Sequence, residues 1–308
     1  MERTCVSRVR GFSNPNGGGI RSQCDRSGDR LYGVQASQRR ATSWLIAPLV
    51  LFFHGIRCFA ADLEPLEQAF RGGHYAKCRD MAQQAIAANE PSERCRILLL
   101  KAQLELGEYP QAAESLRVAR EAFPHSLELR WLGRDIARYT GHPEQATALE
   151  AEILEKLREA SWRYGDPASR LVLGRLLLKQ GLEPKRVQEG TYNVLKKQLP
   201  NYVPAWLAAG ELALEKTDFA LAAENFLQAA KLEPDNPDTH FGVARAFAPS
   251  DDKRATKALQ AALNANPRHV PSLLMAAEEK IDNEDYPGAE VLLDLVVQVN
   301  PEHPLSLA

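Results

Sequence analysis

Glycines that return every 34 residues constrain this 308-residue chain more than any other feature, because a chain that repeats itself must fold as a stack of copies. Gly73, Gly107 and Gly141 are spaced by 34, and Cys78, Ala112 and Ala146 keep the same register. Tyr75 and Tyr109 share the spacing, with Pro143 in the third place. Further on, Pro200, Pro234, Pro267 and Pro301 follow at 34, 33 and 34, and Ala222, Ala255 and Ala289 at 33 and 34. Within a unit the apolar residues recur at three and four, the period of a helix with one buried face. In residues 203–236 one stripe runs Trp206, Ala209, Gly210 and Ala213, and Thr217-Asp218 makes a turn. A second stripe runs Phe219, Ala222, Phe226 and Ala229 until Pro234 closes the unit. Each unit is therefore predicted to be a pair of antiparallel helices. Gly210 and Ala222 are expected where the two cross, since only small side chains allow close approach. Trp206 and the phenylalanines then fill the space toward the next pair.

This pattern resembles the tetratricopeptide repeat family, whose motif sets Trp and Leu-Gly in the first helix, Tyr at the turn, then Ala, Phe, Ala and a closing Pro. The fifth unit carries Trp206, Ala209, Gly210, Phe219, Ala222, Phe226, Ala229 and Pro234, missing only the Leu. The second carries Gly107, Tyr109, Ala112, Leu116, Ala119 and Pro124, and the seventh Tyr286, Ala289, Leu293 and Pro301. The sixth is one residue short, with Phe247, Ala255, Leu259, Ala262 and Pro267. The resemblance implies an all-α, right-handed α-solenoid of about seven helix-turn-helix units. These fall near residues 61–91, 92–124, 125–166, 167–200, 201–234, 235–267 and 268–301, with the start of an eighth at 302–308.

The middle departs from the period. Gly141 to Gly181 is 40 residues, so the third unit is expected to carry an overlong second helix before Gly165-Asp166-Pro167. The fourth unit, around Gly174 and Gly181, places Val187, Tyr192 and Leu195 on its second helix in an unsettled register. At the other end, Leu292, Leu293, Val296 and Val297 form an apolar face with no cap, and solenoids need a polar one. Self-association through this hairpin, or a longer parent chain, is the expectation.

Residues 1–40 have no periodicity, and Gly17-Gly18-Gly19 with scattered Ser and Arg cannot build a core. Arg39-Arg40 precede Trp44–Phe53, an apolar run too short for the roughly 20 residues a membrane span needs. It fits a secretory signal over 41–60, with Cys58-Phe59-Ala60 preparing cleavage before Ala61 and export to the periplasm or cell envelope. Left uncleaved, residues 44–56 would hold the chain at the membrane. Cleavage removes Cys5, Cys24 and Cys58 and leaves Cys78 and Cys95. On antiparallel helices these two stand about 13 Å apart at 1.5 Å per residue, against about 7 Å for a disulfide, so packed thiols are expected.

No catalytic constellation stands out, and no enzyme activity is expected of these residues. The seven histidines, 54, 74, 125, 142, 240, 269 and 303, include no i, i+4 pair for a helical zinc site, and no metal or cofactor is implied. C-x-x-C, a phosphate-binding Gly-Lys-Ser/Thr loop and G-x-S-x-G are all lacking. Nucleic acid is disfavoured by charge: residues 1–60 hold nine Arg against three acids, but residues 61–308 carry 29 basic and 37 acidic groups.

Members of the family bind ligands on residues projecting inward from the first helix of each pair. The matching positions here are Lys101, Asp135, Arg175, Glu211, Arg245 and Glu278. Alternating signs suit either pairing between neighbouring units or a groove for an extended peptide of mixed charge. The Lys and paired Asn with which some members grip a C-terminal carboxylate are not matched, since no Asn occurs at these positions. The resemblance implies a noncatalytic protein-binding scaffold. A second reading makes the array the arm of a longer exported enzyme, because it resembles repeat regions that precede zinc-peptidase-like domains.

Overall fold

The computed structural model describes residues 63–89 and 91–303. The expected leader, the signal segment and residues 304–308 of the expected eighth unit lie outside them. The described residues form seven successive helical pairs: α1 (Leu63–Arg71) with α2 (Tyr75–Ala87), α3 (Glu93–Glu105) with α4 (Tyr109–Ala122), and α5 (Leu127–Tyr139) with α6 (Pro143–Ala160). In the fourth pair α7 (Pro167–Lys179) faces a composite helix of α8 (Pro184–Val187), a π turn over Gln188–Tyr192 and α9 (Asn193–Gln198). Then follow α10 (Val203–Glu215) with α11 (Phe219–Leu232), α12 (Pro237–Phe247) with α13 (Asp252–Ala265), and α14 (Val270–Asp282) with α15 (Tyr286–Val299).

Local chemistry sets the ends of these helices. Ser92, Ser126, Asp166, Asp218, Asp251 and Asp285 each accept a backbone N–H of the first turn, satisfying a donor the helix leaves open. The 34-residue glycine ladder marks the other end. At Gly107 (φ +72°) the N–H bonds Leu104 O, and that of Glu108 bonds Gln103 O, the paired closure of a Schellman turn. Thr217 and Glu284 take the same left-handed conformation without being glycine, at φ +56° and +59°. The residue missing from the sixth unit falls at this turn, where Ser250 and Asp251 both return to Phe247 O.

Close packing follows. Phe226 is fully buried and its ring lies against Gly210 and Gly242, so one aromatic spans the first helices of two units. The partner expected for Gly210 was Ala222. The structure puts Phe226 there instead, and an added Cβ on Gly210 would come within 2.7 Å of the ring. Tyr192 fills the equivalent place against Gly174, and the π turn supplies the register that brings it there. Trp206 is half-buried and does not enter the core. Its indole N–H donates to Pro200 O at 2.9 Å, and the Lys196 ammonium sits 4.8 Å from its ring. The six-residue excess of the third unit lengthens α6 to 18 residues and adds the turn Ser161–Arg163. Cys78 and Cys95 are free, fully buried and in one cluster, with the Cys95 thiol donating to Ala82 O.

The array also closes on itself. Asn266 and Asn300, each ahead of the proline that closes a unit, donate to Tyr75 Oη at 2.9 Å and Tyr109 Oη at 3.0 Å, partners 191 residues away. Both steps obey the 34-residue period, so units six and seven sit edge to edge on units one and two. An apolar seam backs these bonds: Tyr75 and Phe70 pack with Val270, Leu273, Val296 and Val299. Arg71 reaches Glu233 at 3.0 Å, a third contact at the equivalent position of the fifth unit. This covers part of the face expected to be uncapped, since Val296 is fully buried and Leu292 packs on the seam cluster, while Leu293 is half-buried and Val297 stays exposed.

Candidate functional site

Closure turns the inner sides of the first helices toward one another. Lys101 on α3 feels Glu128 of α5, Arg94 of its own helix, Asp238 of α12 and Arg175 of α7, so four units contribute to one electrostatic neighbourhood. Burial presses its ammonium below the ordinary value against the pull of Glu128. One turn on, burial pushes the Glu105 carboxyl up to about 7, with His269 pulling the other way and Asp238 adding to the rise. Tyr202, leading into α10, is raised by burial and by Glu128 across the same space.

Asp238 keeps 60% of its side chain open although protein surrounds it. Burial alone would raise it, but the His269 hydrogen bond at 3.1 Å, helped by Lys101 and Arg71, holds it below the ordinary carboxylate value. His269 in turn meets Ser272 Oγ at 2.7 Å. Ser272, His269 and Asp238 are thus linked like a hydrolytic triad, but the serine is fully buried and no electrophile reaches it. The set ties the start of α14 to α12.

Of the residues expected on this face, Lys101 and Arg175 share the interior neighbourhood. Glu211 and Arg245 pair with each other at 2.8 Å across 34 residues, which is the neighbour pairing that alternating signs suggested. Asp135 is taken by the adjacent Arg134 at 2.6 Å, and Glu278 lies exposed on α14. The sequence reading missed Arg94, Glu128 and Asp238. All three stand seven residues, two helical turns, before an expected position, so the signal was the same face read one step earlier. Glu67, Arg94 and Glu128 form a charge ladder through units one to three, at 2.9 and 4.0 Å. The remaining expected motif residues hold the frame: Ala112, Ala222 and Ala229 are fully buried, Ala289 nearly so, and Gly107 and Tyr109 serve the seam. Phe219 is part-buried, whereas Pro234 is exposed and Tyr286 is 63% exposed, short of the packing its motif place would require.

Among the described residues, no group of three or more His, Cys, Asp or Glu stands where it would hold a metal ion. No helix there is long and apolar enough to cross a membrane.

These features define a helical-repeat solenoid with a charged inner face. Residues 207–270 match a tetratricopeptide repeat family model. The match covers the fifth and sixth units and the first residue of α14. Among solved structures, a monomeric mutant of human IFIT1 with m7Gppp-AAAA is similar over 73% of this chain and 55% of that one, at 12% identity and TM-score 0.51. The human IFIT1 dimer with PPP-AAAA gives the same coverage, 13% identity and TM-score 0.50. TTC0263, a thermophilic tetratricopeptide-repeat protein from Thermus thermophilus, is similar over 59% of this chain and 95% of that one, at 18% identity and TM-score 0.47. This chain thus spans about half the length of the human protein. No curated protein matches.

Proposed function

We propose that this chain is a noncatalytic scaffold of the cell envelope that holds an extended peptide of mixed charge on its inner face. The observation that carries the reading is the convergence of Arg94, Lys101, Glu128, Arg175 and Asp238 from four units onto one space. Charges set in fixed alternation read the charge order of a bound segment better than they add raw affinity. Glu128 and Asp238 interleaved with Arg94, Lys101 and Arg175 suit a segment carrying both signs better than a uniformly anionic ligand such as the PPP-AAAA and m7Gppp-AAAA of the two human structures.

The test places a photo-cross-linking amino acid at Arg175 or Asp238 on the inner side, and at Lys257 on the outer face of α13, in cells expressing the full chain. Adducts with one discrete protein from the inner positions, and none from Lys257, are expected. Equal labelling at all three positions, or none at the inner ones, would overturn the reading.

A further inference from the structure

The seventh unit leaves open a face that the fifth unit shows covered. In the fifth unit Leu214, Ala223, Phe226 and Ala230 pack in one cluster with Val243, Ala244 and Ala246 of α12, so a helix lies across the pair of α10 and α11. Two periods further on, the step from Ala222 to Ala289, the same places hold Ile281, Glu290, Leu293 and Val297. Here Ile281 is 44% and Val297 38% exposed, Leu293 is half-buried, and Tyr286, at the place of Phe219, is 63% exposed. The closing seam does not use these residues, because it draws on Leu292, Val296 and Val299. Tyr286, Leu293 and Val297 fall at i, i+7 and i+11, one stripe along α15.

The free charges around this stripe have one sign. Residues 270–300 contain seven acids and one base, Lys280, whose ammonium is held by Asp285 at 2.8 Å. Among the described residues the other six acids, Glu278, Glu279, Asp282, Glu284, Glu290 and Asp294, have no cation within salt-bridge distance. Glu290 stands within the open face itself, where the covered face has Ala223, and Asp294 follows one turn on. A wholly apolar helix laid here would bury the Glu290 carboxylate without a partner, which is costly. A two-fold contact with a second copy would set these acids against their own counterparts, so charge disfavours that occupant. A helix with Lys or Arg along the edge of its apolar stripe meets both demands.

We propose that the open face of the seventh unit docks a basic amphipathic helix of a partner protein, laid across α14 and α15 as α12 lies across α10 and α11. Its apolar residues, at i, i+3, i+4 and i+7, cover Ile281, Tyr286, Leu293 and Val297, and its cations pair with Glu290 and Asp294. Leu293 is smaller than the Phe226 ring that Gly242 of α12 accommodates, so the docked helix has room for a side chain at that place. This surface is separate from the inner face, and neither reading depends on the other.

A fluorescein-labelled peptide, Leu-Lys-Lys-Leu-Ala-Lys-Lys-Leu-Lys-Lys-Ala-Leu-Lys-Lys-Leu, tests it by anisotropy on the full chain. It should bind, and versions with Glu for Lys, with Ser for Leu, or with Pro at the central Leu should each be at least about tenfold weaker. Tyr286→Ser with Val297→Ser, and Glu290→Lys with Asp294→Lys, alter exposed side chains only. Each pair should weaken the first peptide by about tenfold or more while the helical circular dichroism is unchanged. Glu128→Gln on the inner face should leave binding unaffected. No binding of the first peptide, binding indifferent to either pair, or binding lost on Glu128→Gln would each overturn the proposal, the last by assigning the peptide to the inner face. A dimer in light scattering that Val297→Ser dissociates would also overturn it, since a second copy would then hold the face.

Discussion

Replacing Gly242 by Ala should destabilise the protein although alanine is the better helix former. Gly242 sits in the middle of α12, where the exchange on its own gains about 1 kcal/mol of helix propensity. The new Cβ, however, would fall inside the contact distance of the Phe226 ring edge. The ring cannot back away, because its other side lies against Gly210, where a Cβ would already be 2.7 Å off, and no part of it is exposed. Overpacking of a closed site costs roughly 1–3 kcal/mol, and with both escapes blocked the upper end applies. The net is a loss of about 2 kcal/mol, or about 4–8 °C in Tm for a domain of this size. Thermal and urea unfolding followed by far-ultraviolet circular dichroism would measure it. Gly190→Ala, with open space at its Cβ, is the control and should be neutral or slightly stabilising. Adding Phe226→Leu to Gly242→Ala should recover part of the loss, since the smaller side chain frees the volume. A Gly242→Ala protein as stable as the parent would refute the claim that Phe226 is held between two glycines.

Removing both seam hydroxyls, Tyr75→Phe with Tyr109→Phe, strips a partner from the buried amides of Asn266 and Asn300 and should cost about 1–2 kcal/mol per site. Small-angle scattering should then show a larger radius of gyration, and an unchanged radius would mean the apolar seam alone holds closure. The Glu105 carboxyl, raised to about 7 from an ordinary 4.5, favours its protonated form in the folded state. Its contribution is therefore fully present below pH 4.5 and lost as pH rises through 7. With its side chain part-accessible, parent and Glu105→Gln should diverge by only about 1 kcal/mol between pH 5 and pH 8. A parallel pH dependence of the two proteins would count against the burial of Glu105. Chain recovered from the envelope should begin at Ala61 by N-terminal sequencing, and an intact Arg39-Arg40 would show that the signal is not cut.

The hairpins were legible because their causes are local. A left-handed turn residue, a small residue under a large one and a capping hydroxyl or carboxylate all act within one unit, so Gly107, Ala112 and Ser126 announce them. Closure was not legible. The path of a solenoid is the sum of many small rotations between units, and no single unit encodes that sum. Yet its trace was present, because Asn-Pro ends the sixth and seventh units where Glu-Pro and Leu-Pro end the fifth and fourth. Buried Asn opposite Tyr at two matching steps carries meaning only once the turns of the superhelix are known to touch. The inner face was half legible for a related reason. Ninth-position residues were found by family resemblance, whereas Arg94, Glu128 and Asp238 matter through units far away in sequence.

An open stack of repeats frays, because each terminal unit has a neighbour on one side only, and stability tapers toward both ends. Joining units one and two to units six and seven gives the described array the topology of a hoop. A hoop has no weakest rim from which unravelling starts, so its units must let go together. The cost is kinetic. A stack assembles by adding neighbour to neighbour, but the contact between Tyr75 and Asn266 waits until the 191 residues that separate them are in place. Folding of this protein should accordingly end in a slow, all-or-none clasp, and its amide protection should run level around the array instead of falling away at the first and last helices.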